Sequence, residues 1–557
     1  MMKRKLELLK PLVVRFGLYK LAYWFWHHIH PTLRSREKEH RREYLQFKEQ
    51  CSDALKRSLV PTHGIKKRAL IVSTGFGGVK VELGLIKSIE LAGYQPIVLT
   101  DRDPWLVKYY QLAGVETIKF WDQFVTPLDP LIAKEWLGDC HSLDDLLGYE
   151  YAGARVGKYT ASTALRYLRR GELDLQAEDV RQHIHQYLHT AMEYALASQK
   201  IISNIRPIIA LTLDPGYTPR GELYDACLAA GVDSITWNAA HKSNTLMLKR
   251  YTRENRDVHP SSLSDDTWRQ LLEVEWNESF RQQLRQELYS SYASGDWYSE
   301  VGTQFNTRML ENTELQERLG LDPYKKTAFI FPHIFWDGTF FWGTDLFDSY
   351  EEWFLETVRA ACKNDQVNWV IKVHPANLVK NQRDGVDGEP SEVVAIRAQI
   401  GRLPAHIHVI PADSEINTYS LYRLMDYCVT VRGTVGIEAA SFGVPVLTAG
   451  TGRYNDKGFT IDSQTREQYL DQIKSIQKIL PLTARQRELA ERFAYGVFVL
   501  RPLDLQTVTL EYQQDSKATS KTRINIQKPD DLVNAPDLMA ISAWIRSGKE
   551  DFDFSGG

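Results

Sequence analysis

From residue 69 onward, short runs of consecutive apolar residues alternate with longer stretches whose apolar residues recur every three or four positions. Ala69-Leu-Ile-Val-Ser73 is apolar at successive positions, the pattern of a strand buried on both faces of a parallel sheet. It ends in Thr74-Gly-Phe-Gly-Gly78. A helix follows from about Val79 to Ala92 and stops at Gly93, and Pro96-Ile-Val-Leu99 forms a second strand closed by Thr100-Asp101. Strand, helix and strand at this spacing make a βαβ unit and predict a parallel sheet. Residues 130–200 read as helical, with a break at Arg169-Arg170-Gly171. Pro207–Leu213 returns to strand, and Asp214-Pro-Gly-Tyr-Thr-Pro-Arg220 is a loop. A helix runs from about Gly221 to Ala230, and Ser234-Ile-Thr-Trp237 is another strand.

Residues 253–320 are polar, helical in period and poor in strand signals. A second βα series starts at Ala328-Phe-Ile-Phe331, with strands at Trp369–Val373, Ile407–Ile410, Tyr427–Val431 and Val444–Thr448. The pattern predicts an α/β chain of two Rossmann-like lobes facing one cleft. The divisions are a helical extension at 1–60, a first lobe at 61–250, a helical connector at 251–324, a second lobe at 325–500 and a polar tail at 501–557.

Composition narrows the function. Lys and Arg total 68 against 71 Asp and Glu, a formal net charge of −3, which does not fit a phosphate-tracking nucleic-acid binder. Five scattered cysteines (Cys51, Cys140, Cys227, Cys362, Cys428) contain no CxxC, so neither a disulfide framework nor a zinc site is indicated and a reducing cytoplasm is expected. No metal-ligand spacing and no cofactor motif is evident. The first 42 residues differ from the rest, with eleven basic residues against three acids around Phe16-Gly-Leu-Tyr-Lys-Leu-Ala-Tyr-Trp-Phe-Trp26. A basic segment rich in Trp, Tyr and Leu suits the interface of an anionic membrane, with residues 1–30 as the contact. The alternative is a helical hairpin packed on the protein's own body.

Three stretches carry chemistry. The loop at Gly75 and Gly77 opens a helix, where glycines let a ligand approach backbone amides. Lys80 stands where a dinucleotide fingerprint needs its third glycine, so contact with donor phosphates or acceptor, or a plain turn, fits better than NAD. Lys372-Val-His374-Pro375 closes an apolar strand, and the carboxyl ends of parallel strands are where ligands bind. His374 can give a charge-assisted hydrogen bond to phosphate, and Lys372 adds charge. In Arg432-Gly433-Thr434-Val-Gly-Ile-Glu438 a strand stops and a helix begins. Thr434 is expected to cap it, its first amides suit a phosphate, and Glu438 lies one turn on, in reach of ribose hydroxyls.

Asn417-Thr-Tyr-Ser-Leu, Asp426-Tyr-Cys-Val-Thr, Gly433-Thr-Val-Gly-Ile-Glu-Ala-Ala, Gly443-Val-Pro-Val-Leu and Gly458-Phe-Thr, with His374-Pro375 upstream, resemble the capsular polysaccharide biosynthesis proteins. These are GT-B-like glycosyltransferases related to bacterial capsule Kdo transferases. The specific match covers roughly residues 325–475. It implies a nucleotide-sugar donor held by the second lobe, with His374, Gly433, Thr434 and Glu438 as donor contacts and Arg432 in the same motif. It also implies a saccharide or glycolipid acceptor and no essential metal. Arg432-Gly433-Thr434 replaces the Ser/Thr-Ser pair typical of Kdo-transferring relatives. The Glu-x7-Glu pair of many retaining enzymes is absent, since Thr430 stands eight residues before Glu438, which points toward inversion.

Inverting transfer needs a base for the acceptor hydroxyl and positive charge or amides for the leaving phosphate. Asp214, at the end of a first-lobe strand, is the first choice of base and His241 the second. His333 and Asp337, after the strand at 328–331, are also expected to face the cleft. The competing functions are a nucleotide-sugar 2-epimerase, a polyol-phosphate transferase, a non-catalytic assembly scaffold and, last, an oxidoreductase.

Overall fold

Each apolar run that reads as doubly buried becomes a central strand. The computed structural model describes residues 31–60, 67–515 and 517–553. The expected membrane contact of residues 1–30 lies outside them, and among the described residues no helix is long and apolar enough to cross a membrane. The described chain starts with helix α1 (Pro31–Lys56). The first lobe then lays down β1 (Lys67–Val72), α2 (Val79–Leu91), β2 (Tyr94–Thr100), β3 (Thr117–Phe120), α3 (Val156–Leu168) and α4 (Glu178–Ile205). It closes with β4 (Ile209–Thr212), α5 (Arg220–Ala229), β5 (Asp233–Ala239) and β6 (Thr245–Tyr251). The connector carries α6 (Glu278–Ala293).

The second lobe follows with β7 (Thr327–Ile330), α7 (Tyr350–Cys362), β8 (Asn368–Lys372), α8 (Ala376–Asp384), β9 (Ile407–Ile410) and β10 (Tyr427–Thr430). It ends with α9 (Thr434–Ser441), β11 (Val446–Thr448), β12 (Ile461–Asp462) and α10 (Ala484–Tyr495). Its sheet is wholly parallel in the order β12-β11-β10-β7-β8-β9. The first sheet runs β6-β5-β4-β1-β2-β3, parallel except where β6 pairs antiparallel with β5. Both are doubly wound sheets whose strand order reverses once, at β1/β4 and at β7/β10, and ligands of such sheets bind beyond the carboxyl ends of those strands.

The structure departs from the expected polar tail. After α10 the chain passes through a π-helical turn (Gly496–Leu500) and returns to the first lobe. There β13 (Leu503–Asp504) pairs with β6, and helix α11 (Pro536–Ser547) packs on α2. Leu538, Ile541, Trp544 and Ile545 recur at helical spacing and join the same core as Leu83, Ile86 and Ile89. The segment is polar on average and amphipathic in detail, so it completes the first lobe.

Candidate functional site

The two switch points face each other, and between them lies a cavity of about 540 Å³, within the range that holds a nucleotide-sized ligand. Asp214, immediately beyond β4, holds one wall. Its backbone is left-handed, φ 51°, a conformation Asp tolerates better than most residues. Arg166 of α3 donates to its carboxylate at 3.2 Å. The carboxylate is 42% exposed into the cavity, yet the enclosing walls raise its pKa, with Arg166 opposing. A carboxylate with one cationic partner and a raised pKa, open to a cleft, is poised to take a proton.

The second lobe supplies two imidazoles and the connector a third. The Nδ1 of His374 accepts the Ala376 amide at 3.2 Å, which leaves Nε2 as the protonated nitrogen of the neutral ring. Burial pushes His374 down to about 4, helped by Lys380 and Lys372. His333 accepts the Arg432 amide through Nε2 at 3.3 Å and stacks on Tyr350 with centroids 4.5 Å apart. Its pKa is pushed well down by burial, Arg432 and His374. His259, from the connector, accepts the Ser261 amide through Nδ1 at 3.1 Å and is depressed by burial, Arg453 and Arg432. In the free protein His374 is thus a neutral hydrogen-bond donor, and a bond from it to an anionic phosphate is charge-assisted by the phosphate alone. Burial also brings Lys372 down to about 8. Asp337 is held at about 2, because Lys380 and Arg166 outweigh its burial.

Helix α9 opens on the same cavity. Gly433 is its N-cap residue (φ −61°, ψ 151°) and no side chain caps it, so Thr434 occupies the first helical position instead of the expected cap. Gly433, Thr434 and Val435 all line the cavity. One turn on, the Glu438 carboxylate is 1% exposed. Its Oε2 accepts from Tyr422 Oη at 2.6 Å and from Tyr292 Oη of the connector helix α6. Burial raises its pKa against those two hydroxyls.

Asp214, His333, Asp337, Lys372, His374, Gly433, Thr434 and Glu438 therefore line one cavity. Four expected site residues do not. His241 is 1% exposed, with Nε2 bonded to Glu287 at 2.7 Å and its ring against Trp297 and Phe498. Behind the wall it reaches no acceptor hydroxyl, and burial lowers its pKa. Gly75 and Gly77 lie outside the cavity lining. Their loop closes on its own helix, with the Thr74 amide and hydroxyl both donating to Glu82 Oε1. Arg432 is 3% exposed and turned away. It pairs with Asp345 and donates to the carbonyls of Trp342 and Thr344, which pins the 342–345 loop.

The cavity also contains residues the sequence did not single out as site groups: Arg166, His259, Lys380 and Arg453. The signal for Arg453 was its place in Gly450-Thr-Gly-Arg453, a glycine loop at the end of β11. For the other three there was no local signal.

Among solved structures, similarity is distant. A Thermosulfurimonas dismutans KpsC, beta Kdo 2,4 transferase, is 14% identical over 57% of this chain and 84% of its own, with a TM-score of 0.32. Anabaena Alr3699/HepE in complex with UDP-glucose is 11% identical over 77% and 94%, TM-score 0.28. S. aureus MnaA in its UDP co-structure is 12% identical over 78% and 94%, TM-score 0.29. Likeness at this level says nothing of activity. A search of curated proteins finds no match. Residues 244–490, the part of the chain that carries His374, the α9 helix start, Glu438 and Arg453, match the family described as capsule polysaccharide biosynthesis protein.

Proposed function

We propose that the chain is a GT-B-type glycosyltransferase that moves a sugar from a nucleotide donor to a saccharide or glycolipid acceptor of a surface polysaccharide. One observation carries the reading: opposed strand-end switch points enclose a single cavity with a base on one wall and anion-binding groups on the other. The match of residues 244–490 to the capsule polysaccharide biosynthesis family supports the polysaccharide context.

In this mechanism the donor's ribose hydroxyls bond Glu438, and its phosphate sits at the α9 start near His374 Nε2–H. Asp214 takes the proton from the acceptor hydroxyl as its oxygen attacks the anomeric carbon. The bond to phosphate breaks with its electron pair leaving on the phosphate oxygen, and the configuration inverts. Asp214 is suited to this because its pKa is raised while Arg166 still holds it in place.

A thermal-shift screen against CMP-, UDP-, GDP- and CDP-linked sugars tests the reading. At least one is expected to raise the melting temperature, and no shift with any of them rejects it. With the donor so found, Asp214→Asn is expected to slow turnover by about 10²–10⁴-fold while donor affinity is kept. Loss of donor affinity with turnover intact would remove Asp214 from the chemistry.

A further inference from the structure

The cations around the cavity are not equivalent. Arg166 pairs with Asp214, Lys380 with Asp337 and Arg383 with Asp384. Arg432, next to the helix start in sequence, is tied to Asp345. Among the described residues, Lys372 and Arg453 line the cavity with no carboxylate within 4 Å. Lys372 loses its charge near pH 8, whereas a guanidinium stays charged.

Arg453 donates through NH1 to the Arg432 carbonyl at 3.3 Å. Its Nε, like those of Arg432 and Arg501, is buried with no hydrogen-bond partner among the described residues, but of the three only Arg453 lines the cavity. The residue lies beside the Tyr298 hydroxyl. It is also tied to the α9 start by its chain neighbour, since Tyr454 Oη donates to the Gly433 carbonyl at 2.9 Å. A buried guanidinium nitrogen without a partner is costly unless an anion completes it. Burial first, and Arg453 among the neighbouring charges, lower the pKa of His259 and His333 at this end of the cavity.

We propose that Arg453 is the catalytic cation of the proposed transfer: it binds the donor phosphate through its guanidinium and stabilises the charge that gathers there as the glycosidic bond breaks. The proposal rests on the donor-site reading above, in which the sequence places Arg432, not Arg453, among the donor contacts. As the C–O bond to phosphate breaks, its electron pair passes to the phosphate oxygen, and Arg453 meets that charge without exchanging a proton. The contact therefore strengthens toward the transition state and should appear in kcat as well as KM.

The test compares Arg453→Met and Arg453→Lys with the wild-type protein, using UDP and CMP beside uridine and cytidine, by calorimetry and ligand-observed NMR. Arg453→Met is expected to weaken UDP or CMP roughly 10–100-fold, as for a lost charge-assisted bond, and to leave the matching nucleoside unchanged. Added guanidinium ion should restore part of the nucleotide affinity. Arg453→Lys keeps the charge and should fall between the two, and it carries the test alone if the Met variant does not fold. With the donor from the thermal-shift screen, kcat should fall together with a rise in KM. Equal losses for nucleotide and nucleoside, or none for either, would overturn the role of Arg453 while leaving the donor site standing. If the wild-type protein binds none of UDP, CMP, GDP and CDP, the donor reading falls and this inference with it.

Discussion

Burial above all, with Lys380 beside His374 and Arg453 near His333 and His259 adding like charge, keeps all three rings neutral. The consequence for stability has a definite sign. A histidine of the unfolded chain titrates near 6.5, so below that pH the unfolded state binds more protons than the folded one. Stability present above about 6.5 is lost as pH falls toward the depressed folded value. For His374, at about 4, the loss between pH 7 and pH 5 is on the order of 2 kcal/mol. In His374→Asn the difference in unfolding free energy between those two pH values, read from urea titrations, should shrink by about 1–2 kcal/mol. An unchanged difference would mean that the imidazole titrates alike in both states. Single residues are also where the sequence misleads. Arg432 adjoins the helix start but is claimed by Asp345, 87 positions away, and His241 is claimed by Glu287. No local pattern shows such long-range pairing, so which arginine remains available is settled only by the fold.

At the scale of elements, the strands were legible because the central residues of β1, β2, β7, β8 and β10 are buried on both faces and form short apolar runs. Strand β6 was not. Its Lys249 and Arg250 read as surface, yet both are buried through Asp551 and Asp233. Helix α6 was legible as a helix of a connector, but nothing in its period marked it as part of a site. Its Tyr292 stacks on Trp297 with centroids 4.6 Å apart and donates to Glu438, which Tyr422 holds from the second lobe. With Thr434, the two tyrosine hydroxyls fix the orientation of the carboxylate that the proposed donor site offers to the ribose. Tyr292→Phe and Tyr422→Phe keep the rings and remove those bonds. Each is expected to raise the donor KM roughly 5–20-fold with kcat nearly unchanged, since ribose contacts hold ground and transition states alike. In a Glu438→Ala background neither should add a further loss, because the partner is gone. Steady-state kinetics on the single and double variants read this directly, and additive losses would show that the tyrosines act elsewhere.

In the whole molecule, the returning C-terminal segment joins the two lobes to the connector at one buried point. Arg501, 0% exposed, stands where the chain leaves the second lobe. It donates to the carbonyls of Pro260 and Ser262 in the connector, at 2.9 and 2.6 Å, and of Leu248 in β6, at 3.0 Å. Asp551, near the end of the described chain, completes the junction. It accepts from Lys249 Nζ at 2.7 Å and from the Ser264 amide, and it lies 3.4 Å from Arg501. Against its burial, Arg501 and Lys249 hold its carboxyl far below the usual range. One carboxylate thus faces two fully buried cations from different parts of the chain, and its absence would strand both, although Glu550 still reaches Lys249. Breaking a buried ion pair from one side costs about 3–5 kcal/mol, since the remaining charge stays desolvated. Asp551→Ala is therefore expected to lower the unfolding free energy by about 3–5 kcal/mol. The loss should fall on both lobes together, because the junction belongs to neither alone. Urea unfolding followed by hydrogen exchange of β1 and β8 tests both halves of the expectation. A loss below 1 kcal/mol, or exchange that rises in the first lobe only, would show that the C-terminal segment covers its own lobe without joining the two.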